Sequence, residues 1–208
     1  MCDILEGLKY MHGYPVPIPH GDLTPENISV DDRGKAKISL MSFGRMLAVL
    51  PLDAGVTATA ESVLPPRWMS PELITANRPQ PTTESDMWTF GCVCFWLLTH
   101  REPYSFIKRD DLAGAEIMRG RSPATLTGSD YRAFWSTNGL WNIIASCWRK
   151  DPLQRPTATE FMKLLTQLEG RNMALDWLPI CVMDLAGKVR FDLSERQEHK
   201  QIANHLSV

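Results

Sequence analysis

The run from Met87 to Leu98 constrains this chain more than any other stretch, because it is apolar on nearly every side of a helix. Residues Thr83 to Thr99 read as one helix, and a helix without a polar face must be covered all round by other elements. The run is too short to cross a bilayer, which takes about 20 apolar residues. The reading is therefore a buried central helix in a helical domain. Gly91 inside it costs about 1 kcal/mol against Ala, so a neighbouring segment is expected to approach closely there. A length of 208 residues, 44% apolar and 22% charged, fits one soluble globular domain with a tail.

Other elements follow from spacing. Ile4, Leu5, Leu8 and Met11 recur at helical intervals, so the chain opens on a short amphipathic helix, as if an element had been cut. Prolines 15, 17 and 19 end it and force an extended entry into the segment at His20. Ile28 to Val30 and Lys35 to Leu40 read as strands, and Asp31-Asp32-Arg33-Gly34 between them is hairpin chemistry. A long loop runs from Ser42 to about Pro71, a length usually tied to function. Helices are expected at Asp110 to Arg119 and at Leu140 to Arg149. In the second, Leu140, Ile143, Ile144, Cys147 and Trp148 form one stripe. Thr157 and Glu160 form a capping box for a last helix, with Phe161, Leu164, Leu165 and Leu168 as its apolar face and Gly170 at its end. In the weakly patterned tail, Ser194 and Gln197 offer a second capping box, open to a polar helix near 195–206. Trp88, Trp96, Trp141 and Trp148 lie in helical stripes, where burial is the default; Trp135 and Trp177 lie outside them.

Charge and cysteines exclude several classes. A net charge of -2 argues against a nucleic-acid binder and gives no support for adhesion to an anionic membrane. No basic stretch followed by an apolar core marks a secretory signal. Five cysteines, at 2, 92, 94, 147 and 181, form no C-x-x-C pair, and an odd count suits no disulfide framework. Reduced thiols point to an intracellular, most simply cytoplasmic, protein. Cys92 and Cys94, two apart on a helix, point to different faces and make a poor metal site.

The stretch His20-Gly21-Asp22-Leu23-Thr24-Pro25-Glu26-Asn27 resembles the catalytic loop of a protein kinase, in which a base Asp and a metal-binding Asn sit five positions apart. Those positions are Asp22 and Asn27. Phe43-Gly44 follow the hairpin, as in the family's metal-binding triplet. Ser70-Pro71-Glu72 resembles the motif that closes the activation segment, and Arg67-Trp68-Met69 before it resembles the tyrosine-kinase-like branch. Ser85-Asp86-Met87-Trp88-Thr89-Phe90-Gly91 resembles the start of the central helix. Cys147-Trp148, Asp151-Pro152 and Arg155-Pro156 resemble the domain's end. The resemblance covers residues 1–168 and only the family's large lobe. It implies a mainly α fold with a small β-hairpin, the small lobe missing, and a tail over 169–208.

For that family the implied activity is ATP-dependent phosphorylation of protein Ser, Thr or Tyr. Asp22 matches the base, a role typically contributing about 10² to 10⁴ in rate. Asn27 matches a metal ligand for Mg bound to ATP. The family's main metal carboxylate falls at Ser42, a neutral hydroxyl, whereas magnesium prefers charged oxygens. Asp31, Asp32 and Asp53 do not lie at the matching position. Gly21 stands where the family has an Arg, so a phosphate on Thr57, Thr59 or Ser62 lacks that reader. Thr24 replaces a lysine near the transferring phosphate. Ser29 falls where an apolar floor meets adenine. No Gly-rich loop, strand lysine or partner-helix Glu precedes His20. ATP and Mg binding is therefore expected to be weak or absent.

The remaining matches read as structural. Glu72 and Arg155 match a buried salt bridge, Asp86 an anchor accepting backbone hydrogen bonds from the catalytic loop, and His20, Phe43 and Gly44 packing positions beside the site. Kept structural positions and lost metal chemistry suggest a pseudokinase that acts in signalling by binding a protein partner. The alternative is the C-terminal part of an active kinase whose other lobe is missing from this chain. A third reading is a fragment that folds poorly by itself, with apolar surface left open.

Overall fold

A computed structural model describes residues 1–39, 65–77, 80–124 and 139–169, and the backbone of 181–183 and 189–191. The chain divides into two units, Met1–Met173 and Ala174–Val208.

The first unit is built around helix α3, Thr83–Thr99, in which every residue from Ser85 through Phe95 is buried. Its start is fixed by a reciprocal box: the Ser85 N–H donates to Thr82 Oγ1 at 3.1 Å and the Thr82 N–H to Ser85 Oγ at 2.9 Å. A Cβ on Gly91 would lie 2.7 Å from Cys147 Cβ and 2.8 Å from Trp148 Nε1. The close neighbour expected at Gly91 is thus the end of α5, Leu140–Ser146. That helix stops short of Arg149 because Cys147 and Trp148 turn more tightly, their N–H groups donating three residues back to Ile144 and Ala145. The tightening delivers the indole of Trp148 onto α3, where it meets Phe95 edge-on, with Trp141 of α5 edge-on beside it. Trp88 and Trp148 are buried. Trp96 and Trp141 are only half-buried, while Trp135 and Trp177 lie outside the described residues.

Helix α1, Cys2–His12, buries Ile4, Leu5, Leu8 and Met11, as its spacing predicts. It packs on α6, Ala158–Glu169, and on the hairpin. In α6 the predicted capping box is present: the Thr157 N–H donates to Glu160 Oε2 at 2.8 Å and the Glu160 N–H to Thr157 Oγ1 at 3.2 Å. Phe161 is buried edge-on against Phe90, and Leu165 is buried with it. Leu164 departs from the predicted apolar face and is exposed: α1 and α5, the helices packed against α6, leave its side uncovered. The short helix α2, Pro71–Thr75, and α4, Asp110–Met118, complete the helical part, with tight turns at Pro66–Trp68 and Pro152–Gln154.

Strands β1, Ile28–Val30, and β2, Ala36–Ile38, pair antiparallel with Ile28 opposite Ile38. The Asp31 carboxylate accepts from the Arg33 and Lys35 N–H groups at 3.0 Å each, which fixes the turn. Of the predicted strand over Lys35 to Leu40, the ladder holds Ala36–Ile38 and its pairing carries on at both ends, the Asp31 N–H donating to the Lys35 carbonyl at 2.9 Å and the Ser39 N–H to the carbonyl of Asn27, its register partner, at 2.8 Å; Leu40 lies outside the described residues. In the second unit Cys181–Met183 (β3) and Val189–Phe191 (β4) form an antiparallel hairpin that periodicity did not reveal. The polar helix expected near 195–206 lies outside the described residues.

Candidate functional site

The segment from His20 to Asn27 is held from below by one carboxylate. Asp86, buried in the first turn of α3, accepts from the His20 N–H at 2.6 Å and the Gly21 N–H at 2.8 Å. Aiming two successive N–H groups at one carboxylate needs a sharp local twist, and Gly21 supplies it with φ at 76°, a region that side chains disfavour. A third partner, missing from the sequence reading, is His12 at the end of α1, whose Nε2 lies 2.8 Å from Asp86 Oδ2. The pair is 74 positions apart, and no local pattern distinguishes His12 from a solvated helix end.

His20 is buried with both ring nitrogens engaged. The Asp22 N–H donates to Nδ1 at 3.3 Å, and Nε2 lies 3.0 Å from the Ser39 carbonyl. An acceptor facing Nε2 and a donor facing Nδ1 place the proton on Nε2. The ring therefore orients Asp22 and ties the loop to the hairpin.

Asp22 and Asn27 come together. Pro25–Asn27 forms a tight turn with Pro at its start, where no N–H is needed. The turn swings the Asn27 amide back, so that Nδ2 donates to the Asp22 carbonyl at 2.8 Å and to Asp22 Oδ2 at 3.1 Å. Asp22 is half-buried, its backbone fixed by His20 and its carboxylate by Asn27. Such a carboxylate can accept a proton from a hydroxyl placed beside it. With its nitrogen committed to Asp22, Asn27 has its carbonyl oxygen to offer a cation. Among the described residues, one neutral oxygen and one already engaged carboxylate make a weak set for magnesium, which prefers charged oxygens. Ser42, Phe43 and Gly44, like Asp53, Thr57, Thr59 and Ser62, lie outside the described residues. Thr24 is buried, so its hydroxyl does not stand in for a long basic side chain. Ser29 is exposed on the hairpin opposite Lys37.

Glu72 and Arg155 meet as a two-pronged pair, Nη1 to Oε1 at 2.6 Å and Nη2 to Oε2 at 2.8 Å. The Arg155 guanidinium also donates to the carbonyls of Arg149 at 2.9 Å and Glu84 at 2.9 Å, and it lies 5.0 Å over the Trp88 ring. Burial pushes the Glu72 carboxyl up, but the hydrogen bonds and charge of Arg155 outweigh it and hold the group below its ordinary value. The pair ties α2 to α3 and to the turn ahead of α6.

Arg67 was not singled out as a site residue by sequence. Its buried guanidinium donates to the carbonyls of Tyr104 at 2.7 Å and Ile107 at 2.7 Å and to Asp110 Oδ1 at 2.6 Å. It thereby fastens the segment before α2 to the start of α4. Backbone carbonyls carry no side-chain signature, so this contact leaves no trace in the sequence.

The family described as the protein kinase domain matches residues 1–165. A probable serine/threonine-protein kinase of Dictyostelium discoideum is 30% identical over 79% of this chain and 16% of its own length. The serine/threonine-protein kinase CTR1 of Arabidopsis thaliana is 27% identical over 80% of this chain and 18% of its own. The protein sevenless of Drosophila melanogaster is 30% identical over 97% of this chain and 8% of its own. The chain thus spans less than a quarter of the length of each of these relatives.

Proposed function

The chain belongs to the protein kinase family, and from that premise we propose that it is a pseudokinase of tyrosine-kinase-like character, a large-lobe scaffold that works by binding a protein partner. The observation that carries this reading is the contrast between the anchors and position 42. Asp86, with both loop N–H groups on it, and the Glu72–Arg155 pair keep the lobe in order. The place of the family's second metal carboxylate is taken by Ser42. Lewis-acid stabilisation of a transferring phosphoryl is worth several kcal/mol, so its loss lowers transfer by orders of magnitude without disturbing the fold.

In this reading Asp22 and Asn27 position one another and retain a shape that once served transfer. Any ATP is held weakly, since Ser29 brings a hydroxyl to the position where the family has an apolar floor under adenine. The companion proposals are a cytoplasmic location and a partner that is protein rather than nucleic acid or membrane. No helix among the described residues is long and apolar enough to cross a membrane.

The test is nucleotide binding, followed by thermal shift with ATP in the presence and absence of Mg, for the wild type and for Ser42→Asp. The expected outcome is a small, Mg-independent shift in the wild type and a Mg-dependent one in Ser42→Asp. A large Mg-dependent shift in the wild type would overturn the reading. A second reading, an ATP-dependent protein kinase acting as part of a longer chain, is favoured by one observation: Asn27 and the Asp22 carboxylate, which match the family's metal ligand and base, lie together at 3.1 Å.

A further inference from the structure

Gly21 is buried, and its missing side chain is occupied by another part of the chain. A Cβ built at Gly21 would lie 2.8 Å from Cγ and 3.0 Å from Cβ of Pro81. Carbon atoms do not approach so closely, so the Pro81 ring rests directly on the Gly21 backbone. Pro81 stands in the extended approach to α3, just before the Thr82 cap. Five residues later the same helix presents Asp86 to the N–H groups of His20 and Gly21. Residues 20 and 21 are therefore gripped between a carboxylate on one side and a rigid ring on the other, both supplied by the start of α3.

We infer that Pro81 is a positioning residue for the His20–Asp22 segment, a constitutive apolar latch that holds it against Asp86 with no contribution from a phosphate group. Three features carry this. The left-handed backbone at Gly21 disfavours any side chain. The space a side chain would enter is filled by Pro81. The ring brings no hydrogen-bonding group, so the grip is steric and independent of charge. Proline is suited to the part because its fixed φ keeps the ring in place at little entropic cost. The inference holds whether or not the lobe transfers phosphate, because it concerns only the order of the loop.

Amide hydrogen exchange, read residue by residue by NMR on the whole 208-residue chain, tests this. The quantity is exchange at the His20 and Gly21 amides relative to Phe90 and Val93 in the core of α3, so that a general loss of stability cancels. Pro81→Ala is expected to raise the ratio at least tenfold, and Pro81→Val, which refills the space, to return it most of the way. Aspartate at positions 57, 59 and 62 together, as a charge mimic of phosphorylation, is expected to leave the ratio within twofold in the wild type and in Pro81→Ala. A ratio unchanged in Pro81→Ala would overturn the inference, as would equal acceleration of all four amides. Restoration of the Pro81→Ala loop by the acidic mimic would overturn its independence from phosphate.

Discussion

Replacing Arg155 by Met tests the structural half of this account most sharply. The substitution keeps an unbranched apolar side chain and removes the guanidinium, and with it the contact over the Trp88 ring. It leaves the Glu72 carboxylate without its two bonds of 2.6 and 2.8 Å and strips donors from the carbonyls of Arg149 and Glu84. Removing one member of a buried ion pair costs about 3–5 kcal/mol, because the other charge is stranded. Glu72 retains some exposure to water, with 28% of its side chain accessible, which places the expected loss near the lower end, about 3 kcal/mol. Glu72→Gln is expected to cost less, about 1–2 kcal/mol, since Arg155 keeps its carbonyls and the Trp88 face. The double variant should fall short of the sum by about 1 kcal/mol or more, the coupling of a contacting pair.

The measurement is urea unfolding followed by tryptophan fluorescence, at constant slope. The pH dependence gives a second readout. The folded Glu72 carboxyl sits below its unfolded value, so its contribution is full above an ordinary carboxylate pKa of about 4.3 and is lost as pH falls through the lower folded value. In Arg155→Met the largest opposition to burial is gone and the folded value rises, so the variant's deficit should shrink as pH falls. A cost under about 1 kcal/mol, additive behaviour of the pair, or a deficit that grows toward acid would each refute the reasoning.

Other outcomes follow from the same contacts. Gly91→Ala adds a methyl 2.7 Å from Cys147 Cβ and should destabilise by about 1–3 kcal/mol despite Ala's better helix propensity, measured by the same unfolding assay. His12→Ala removes one of three donors to Asp86; it should lower stability by about 1 kcal/mol and speed exchange at residues 20 and 21, whereas Asp86→Ala, which strands both loop N–H groups, should cost distinctly more. Burial pushes the Cys94 thiol up to about 12 and raises Cys92 and Cys147 as well. A thiol reagent at pH 8 should therefore label exposed Cys2 in the native chain and those three only on unfolding, with mass spectrometry locating the sites.

Much of this architecture is legible in the sequence because it is written in local periodicity and end chemistry. The apolar girth of α3, the stripe of α1 and the Thr157–Glu160 box each involve residues within one or two turns, and each forms where its pattern predicts. The pairing of Asp22 with Asn27 is legible through the resemblance to the kinase catalytic loop, and the proline-started turn at Pro25–Asn27 is what brings them together. What escaped reading is long-range or backbone-mediated. His12 and Asp86 meet across 74 positions. Arg67 bonds to carbonyls that every residue possesses. Leu164 matched the helical stripe but found no element to cover it, since periodicity assigns a face and the neighbours decide how wide a face is buried. The seat of Pro81 on Gly21 is invisible because the informative atom is the one glycine lacks.

The most direct test of the central claim is phosphotransfer itself. With Mg·ATP or Mn·ATP and a general protein substrate, incorporation by this chain should stay within background of the Asp22→Ala variant, because Ser42 offers the cation an alcohol where transfer calls for a carboxylate. Incorporation far above the Asp22→Ala control, at the pace of ordinary protein kinases, would contradict the account.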